Sequence, residues 1–318
     1  MYTNLVRAVA MTSTIAALGF FGTSLNAEDS FPDTAQLIAD AEEYRKTLDP
    51  FFKQHVVMDG LLIVASEKVS PYALREVAYQ AKQVLAKRPD VLKHMCVTRK
   101  MYVCVLAHTE MQNELPDCSH MNVVWNYRVR GIGHRPASCG EENVLGFKGD
   151  PFEGDNIFIH EYAHVMHGSM AARNEGFNER LKALHAEAKE TGRVRGYAMD
   201  SAGEFFAEGA QAWFNCNGVK RLESCGGGPS FEVLDSDGEH LCHIQTREQV
   251  KKHLPKYAEL LAEAFGDNEW TYVPISKRWG QPHLKGYDPS KAPTFRWPEE
   301  VVEGYKKAMA EEAAKKNK

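Results

Sequence analysis

Residues 155–170 read DNIFIHEYAHVMHGSM, a run with the composition of one continuous helix. Asp155 is a suitable residue to cap its first turn, because a short acidic side chain accepts hydrogen bonds from the free backbone N–H groups there. Within this run, His160 and His164 stand four residues apart, so both imidazoles project from the same helical face. Glu161 is turned by about 100° from His160.

The pattern His160-Glu161-x-x-His164 is typical of a metal site. Imidazoles on one helical face can bind a single ion, and a set of histidine and carboxylate ligands favours zinc, so we predict one Zn²⁺ per chain. A bound zinc ion lowers the pKa of its water to about 7, and Glu161 could take up the proton as a general base. The alternative is a packing helix that contains two histidines by chance.

A third ligand is expected in a later apolar helix, which begins with DSAGEFFAE at residues 200–208. Glu204 and Glu208 share one face of that helix, and two carboxylates there need a cationic partner such as zinc or a ligating histidine. From the residues alone, Glu204 has a second interpretation of equal weight. Ser201 and Glu204 also fit a capping box, in which the carboxylate only bonds the backbone.

Together, His160-Glu161-x-x-His164, Tyr197 and Glu204-Phe205-Phe206-Ala207-Glu208 resemble the catalytic domains of anthrax lethal factor and the Pro-Pro endopeptidases. These are zinc metallopeptidases of the HExxH-plus-Glu, or gluzincin, type. The similarity covers about residues 155–266, and the 40 residues from His164 to Glu204 suit the family. Residues 131–140 and 270–297 match no motif of this family, so substrate preference is not carried over.

The resemblance implies a role for each residue of the pattern. His160, His164 and Glu204 would bind zinc, and Glu161 would be the general base. Tyr197 would donate a hydrogen bond to the oxyanion of the tetrahedral intermediate. Glu208 would orient one of the histidines.

The order of elements predicts a single α+β domain over residues 28–318, with a mixed α/β part at 28–150 and a mainly helical part at 151–318. The resemblance implies a zincin-like metallopeptidase domain, in which a small mixed sheet precedes the helices that carry the ligands. Apolar periodicity predicts helices at 34–48, 71–87, 155–170, 176–190, 201–216, 246–265 and 298–314. Strands are predicted at 56–65, as one strand or a pair, and at 101–107, 122–129 and 144–147. Residues 131–140 are predicted to be a connection, and 270–297 an irregular stretch.

Residues 1–27 are typical of a secretory signal peptide. Arg7 precedes an apolar stretch too short to span a bilayer, and Leu25-Asn26-Ala27 fits a cleavage site. The alternative is a retained N-terminal anchor. These features predict a secreted, extracellular protein, or a periplasmic one in a bacterium.

All seven cysteines follow this leader, as expected of a chain with disulfide bonds. The candidate pairs are Cys118 with Cys139, and Cys216 with Cys225 or Cys242. His240 and His243 flank Cys242 in the manner of a metal cluster, but the preceding segment DSDG at 235–238 favours a bridged surface loop.

The composition excludes some classes of protein and of binding partner. A hydrophobic fraction of 43% excludes a disordered chain, and a net charge of −5 excludes the basic footprint of a nucleic-acid-binding protein. No stable membrane insertion is expected after signal cleavage, and oligomeric state has no signal in the sequence. We expect a secreted zinc endopeptidase that acts on a peptide or protein substrate. The alternatives are an extracellular zinc-binding protein without proteolytic activity on the same scaffold, and hydrolysis of a non-peptide bond.

Overall fold

The main sheet begins with a hairpin whose turn is encoded by two residues. Asp59 and Gly60 connect the first two strands, and both have positive φ, at 49° and 98°. An Asp-Gly pair is the favoured sequence for such a turn, since glycine adopts positive φ without a steric penalty. The structure, a computed structural model, describes residues 31–225 and 227–316.

The described residues contain eight strands and ten α-helices. The strands are β1 Gln54–Met58, β2 Leu61–Ala65, β3 Tyr102–Leu106, β4 Gly131–Gly133, β5 Ala137–Gly140, β6 Val194–Arg195, β7 Glu232–Leu234 and β8 His240–His243. The helices are α1 Thr34–Arg45, α2 Pro71–Val84, α3 Pro89–Val97, α4 Glu141–Leu145, α5 Ile157–Arg173, α6 Phe177–Thr191, α7 Ala202–Trp213, α8 Arg247–His253, α9 Pro255–Phe265 and α10 Glu299–Lys316.

The main sheet is mixed and covered on both faces. Its strand order is β1-β2-β3-β5-β4, with β2, β3 and β5 parallel and the two outer strands antiparallel to their neighbours. Alternate residues of β2 and β3 enter two different cores, one beneath the helices of the second half and one beneath α1. Burial on both faces explains why these strands read as continuous apolar runs.

The described residues form one compact unit of mixed α+β architecture. The second half is mainly helical, as predicted, and it also contains a small sheet in the order β6-β7-β8 that the sequence patterns did not predict. Helix α5 occupies a central position, where it packs against β4, β5, α3 and α7. The predicted helix at 246–265 is divided into α8 and α9 at Leu254-Pro255.

Three predictions between residues 122 and 147 are wrong. Residues Val123–Tyr127 form a 3₁₀ turn instead of a strand, because Val123 and Trp125 are exposed and Asn122 accepts a hydrogen bond from the Val124 N–H at 3.0 Å. The predicted strand at 144–147 overlaps α4, which ends at Gly146 in the left-handed conformation. The predicted connection at 131–140 contains β4 and β5.

All seven cysteines are free thiols, so the predicted disulfide pairs are not formed in the structure. Three of the candidate sulfur atoms have other hydrogen-bond partners: Gln112 donates to Cys118, Cys216 donates to the Gln211 carbonyl, and Cys225 donates to the Arg128 carbonyl. The predicted signal peptide at 1–27 lies outside the described residues. Among the residues that are described, no helix is both long and apolar enough to cross a membrane.

Candidate metal centre

Helix α5 presents its histidines from a well-anchored first turn. Asn156 caps the helix, with its side chain accepting a hydrogen bond from the Ile159 N–H at 2.9 Å. The prediction that Asp155 is the cap is therefore wrong. The Asp155 carboxylate instead accepts hydrogen bonds from the Gly218 N–H and from the side-chain amide of Gln211, so it connects α5 to the end of α7.

Three predicted ligand atoms converge on one point. The Nε2 atoms of His160 and His164 lie 3.3 Å apart, and the Glu204 Oε2 atom lies 3.1 Å from the first and 3.3 Å from the second. The side chains of His160, His164 and Glu204 are 9%, 18% and 19% exposed to solvent, so the three atoms are largely shielded from it. The predicted convergence of α5 and α7 is present in the structure.

The geometry also distinguishes the two interpretations of Glu204. Ser201 caps α7, since its Oγ accepts a hydrogen bond from the Glu204 N–H at 3.0 Å. The Glu204 carboxylate points to the two histidines, so its side chain is not engaged with the Ser201 backbone as a capping box would require.

A polar chain behind His160 sets its tautomer. The Gln211 side-chain NH₂ group donates to Asp155 and to the Asn156 carbonyl, so its Oε1 atom must face His160. That oxygen lies 2.9 Å from His160 Nδ1 and accepts the N–H there. When the ring of His160 is neutral, as metal binding requires, its Nε2 lone pair is consequently directed toward His164 and Glu204.

Glu208 also lies next to the His160 imidazole, but it is farther from Nδ1 than Gln211 is. Its Oε1 atom is 3.6 Å from His160 Nδ1, and its Oε2 atom is buried with no hydrogen-bond partner in the part of the chain that the structure describes. Burial raises the pKa of Glu208 to about 8, although the charge of His160 acts in the opposite direction. The orienting hydrogen bond that we predicted for Glu208 is thus made by Gln211.

Glu161 and Tyr197 both lie close to the converging residues. Glu161 places an oxygen within 4.8 Å of a ring nitrogen of each histidine. The Tyr197 ring is nearly parallel to that of His160, with centroids 6.0 Å apart, and the Arg221 guanidinium lies 3.6 Å from its centroid on a cation–π contact. Burial, followed by the charge of Glu204, raises the pKa of Tyr197, so its hydroxyl is a donor at neutral pH.

The carboxylates make this point favourable for positive charge. Burial opposes an imidazolium at His160, but its hydrogen bond to Glu204 and the charges of Glu161 and Glu208 raise its pKa to about 10. Burial likewise opposes the ionised form of Glu204, yet hydrogen bonds from both histidines hold its pKa well below the usual range. Burial raises the pKa of Glu161. A divalent cation would satisfy the same negative potential.

Strand β4 approaches helix α5 closely because it carries two glycines. A Cβ atom at Gly131 would lie 2.9 Å from Cγ of Glu161, and one at Gly133 would overlap the His164 side chain. Strand β4 has one neighbour, β5, so it is an edge of the main sheet. Among the described strands, its other edge has no partner, and its two glycines lie against Glu161 and His164.

A cleft of about 80 Å³, partly open to solvent, lies beside His160, Glu161 and Tyr197. Both basic and acidic side chains line it. Its lining includes Arg128, Lys220, Arg221, Tyr197, Glu161 and His160.

No protein-family model matches this chain, and neither a curated protein nor a solved structure matches it. Its function is therefore inferred from the geometry described above.

Gln211 is the site residue that the sequence patterns did not identify. A signal was present, since Gln211 is seven residues after Glu204 and three after Glu208, on the same face of an otherwise apolar helix. The role of Asp155 could not be found in this way, because its contacts to Gln211 and Gly218 join residues more than 50 positions apart.

Proposed function

We propose that this protein is a zinc-dependent endopeptidase with a zincin-like site. The observation that carries the proposal is the convergence of His160 Nε2, His164 Nε2 and Glu204 Oε2 at separations of 3.1–3.3 Å. Zinc–nitrogen bonds of about 2.0–2.1 Å in a tetrahedral site place neighbouring donor atoms roughly 3.3 Å apart. The donor set and its spacing both fit zinc.

The donor chemistry supports a catalytic ion rather than a purely structural one. Structural zinc sites use four protein ligands, whereas catalytic sites use three and leave a position for water or substrate. Here three donors converge beside an open cleft, and Glu161 lies near them. The cysteine thiols typical of closed structural sites are not among the converging groups.

Zinc bound by these three residues would supply a Lewis acid that polarises a carbonyl and acidifies a water molecule. Glu161 would accept a proton from the attacking water and deliver it to the leaving amine, a function that its raised pKa favours. Tyr197, protonated at neutral pH, would donate a hydrogen bond to the developing oxyanion. Gln211 would keep His160 in the tautomer required for binding metal.

The edge strand supports a peptide as the substrate. An extended peptide can pair its main chain with a free strand edge, which aligns it along that strand. Strand β4 provides such an edge, and its glycines lie against Glu161 and His164. A peptide paired there would pass directly over the proposed catalytic groups.

The other parts of the proposal come from the sequence. The resemblance to the lethal factor and Pro-Pro endopeptidase type is supported by the approach of Tyr197 to the ring of His160 and by the direction of Glu204. Secretion is proposed from the composition of residues 1–27.

The decisive experiment compares the wild-type chain with Glu161→Gln. Both proteins are loaded with zinc and incubated with a diverse peptide library, and new N-termini are identified by mass spectrometry. We expect chelator-sensitive cleavage by the wild type and a loss of at least about 100-fold in Glu161→Gln, since the variant cannot accept the proton. Elemental analysis should find equal zinc in both proteins, because Glu161 is not a proposed ligand.

Glu190→Gln is the matched control, since Glu190 is an exposed residue of α6. It should cleave like the wild type. Activity of Glu161→Gln within about tenfold of the wild type, or roughly 1.4 kcal/mol of barrier, would refute the general-base assignment. A zinc-loaded wild type that cleaves no peptide would favour the non-proteolytic alternative.

A further inference from the structure

A second group of potential ligands lies in the three-stranded sheet. Glu232, His240 and His243 each offer one ligand atom, and these atoms lie within 4.8 Å of one another. The three residues come from β7 and β8 and are separate from the proposed catalytic residues. Two imidazoles and one carboxylate form the type of donor set that binds zinc and related divalent transition metals.

An irregularity in β8 brings the two histidines to the same face. In a regular strand, residues three positions apart point to opposite faces of the sheet, so His240 and His243 would be separated. The pairing instead changes from Val233 with Cys242 to Leu234 with His240, which leaves Leu241 as the extra residue of a bulge. The bulge turns His240 toward the face of Glu232 and His243, since bulges redirect side chains in this way.

The resulting cluster is compact. Glu232 is paired directly across the sheet with His243, and the rings of His240 and His243 have centroids 4.7 Å apart. His240 Nδ1 contacts Glu232 Oε1, and Arg195 of β6 contacts the other carboxylate oxygen. Arg195 therefore orients Glu232 as a hydrogen-bonding partner outside the ligand set does in metal sites.

One ring nitrogen of the cluster makes no hydrogen bond to the rest of the described fold. His243 Nδ1 is buried and has no hydrogen-bond partner among the described residues. A buried polar atom without a partner is costly unless a ligand or ion satisfies it.

We propose that Glu232, His240 and His243 form a second binding site for a zinc-class divalent cation. The chain would then bind two ions, one at each site. The His240 side chain is 46% exposed, so the ion can enter from solvent without opening the core. This assignment does not depend on peptidase activity at the first site.

The second site is connected to the Tyr197 segment through the backbone. Strand β6 leads through Gly196 into Tyr197, whose N–H donates to the Pro229 carbonyl at 3.1 Å, and Ala198 N–H donates to the Ser230 carbonyl at 3.0 Å. Residues 229 and 230 are separated from β7, which begins at Glu232, by Phe231 alone. A cation that fixes Glu232 against β8 would therefore also steady the strand that supports Tyr197.

The experiment is a count of bound zinc. Metal-depleted full-length protein is titrated with Zn²⁺ against a chromophoric chelator, and the ions retained after desalting are measured by elemental analysis. We expect two equivalents for the wild type and one for the double variant His240→Ala/His243→Ala. Because these side chains lie on the surface of a small sheet, circular dichroism should be unchanged in the double variant.

His120→Ala is the matched control, since His120 is an exposed histidine outside both clusters, and it should bind as many ions as the wild type. The loss of one equivalent on the double substitution is the supporting result, even if the wild type binds a single ion because the first site fails. An equal count in the wild type and the double variant overturns the proposal. In a second measurement, zinc should slow amide exchange at residues 195–198 more strongly in the wild type than in the double variant, which retains only the first site, and this difference tests the connection to Tyr197.

Discussion

At the residue scale, the proposed zinc site depends on one uncharged side chain. Gln211 has its NH₂ group committed to Asp155 and Asn156, so only its oxygen can meet His160. A carboxylate in that position would add negative charge, whereas the amide fixes the tautomer without changing the charge of the site. Hydrogen-bonding partners of this kind typically change metal affinity by 10–100-fold.

We therefore predict that Gln211→Met binds zinc about 10–100 times more weakly than the wild type. Methionine fills a similar volume but cannot accept the His160 Nδ1–H or donate to Asp155. Competition with a chelator of known affinity measures the change. Gln36→Met, on an exposed face of α1, should leave the affinity unaltered. An undiminished affinity in Gln211→Met would mean that the polar chain has no role in binding.

At the element scale, α7 contains a glycine that helix propensity alone disfavours. A Cβ atom at Gly209 would overlap the hydroxyl of Tyr257 on α9, which donates a hydrogen bond to the Phe205 carbonyl. Glycine thus permits the close contact of α7 with α9. Rigid placement of α7 matters for the site, because the same helix carries Glu204, Glu208 and Gln211.

We predict that Gly209→Ala lowers the free energy of unfolding, by about 1–3 kcal/mol, because overpacking outweighs the helix-propensity gain of roughly 1 kcal/mol. Urea denaturation measures the effect. Combining the change with Tyr257→Leu, which removes the overlapping hydroxyl and ring carbons, should cost less than the sum of the two single changes. Gly304→Ala is the control, since a Cβ there meets nothing within 4 Å, and it should be neutral or stabilising. Additive losses in the double variant would contradict this explanation.

At the scale of the whole molecule, a buried ion pair joins the irregular stretch at 270–297 to the central helices. Glu76 of α2 accepts hydrogen bonds from Arg278 Nη1 at 2.8 Å and from His283 Nε2 at 2.7 Å. The Glu76 and Arg278 side chains are 0% and 6% exposed. Removing one partner of such a pair leaves an uncompensated buried charge, which typically costs 3–5 kcal/mol.

The same pair predicts a dependence of stability on pH. Burial opposes ionisation of Glu76, but the hydrogen bonds from Arg278 and His283 outweigh it and hold its pKa below 4.5 in the folded state. The folded protein therefore binds this proton less readily than the unfolded chain does. The contribution of Glu76 is complete above pH 4.5 and is lost as the pH falls through the lower, folded value.

Unfolding in urea at pH 7, 5, 4 and 3 should show about 3–5 kcal/mol lower stability for Glu76→Gln at pH 7 and a smaller difference at pH 3. Glu248→Gln, at a side chain that is 83% exposed, should follow the wild type throughout. A difference that stays constant with pH would show that Glu76 acts through packing and not through its charge.

Much of the site could be predicted from short-range patterns. The four-residue spacing of His160 and His164, and that of Glu204 and Glu208, placed each pair on one helical face before any packing was known. The Asp59-Gly60 turn and the Ser201 cap were likewise encoded within a few residues. Strands β4 and β5 were not predicted, because glycine and proline in 131–140 are typical of loops. In this structure the glycines instead allow β4 to pack closely against α5.

Local spacing along this chain determined which side chains share a face: the two imidazoles on α5 and the carboxylates on α7. Packing determined which faces meet, because contacts such as Glu204 with His160 and Gln211 with Asp155 join residues 44 and 56 positions apart. The bulge at Leu241 is the clearest case, since strand alternation separates His240 from His243 and the pairing of β8 with β7 brings them together. Backbone geometry repeats over a few residues, whereas the approach of distant segments depends on how the whole apolar core is filled.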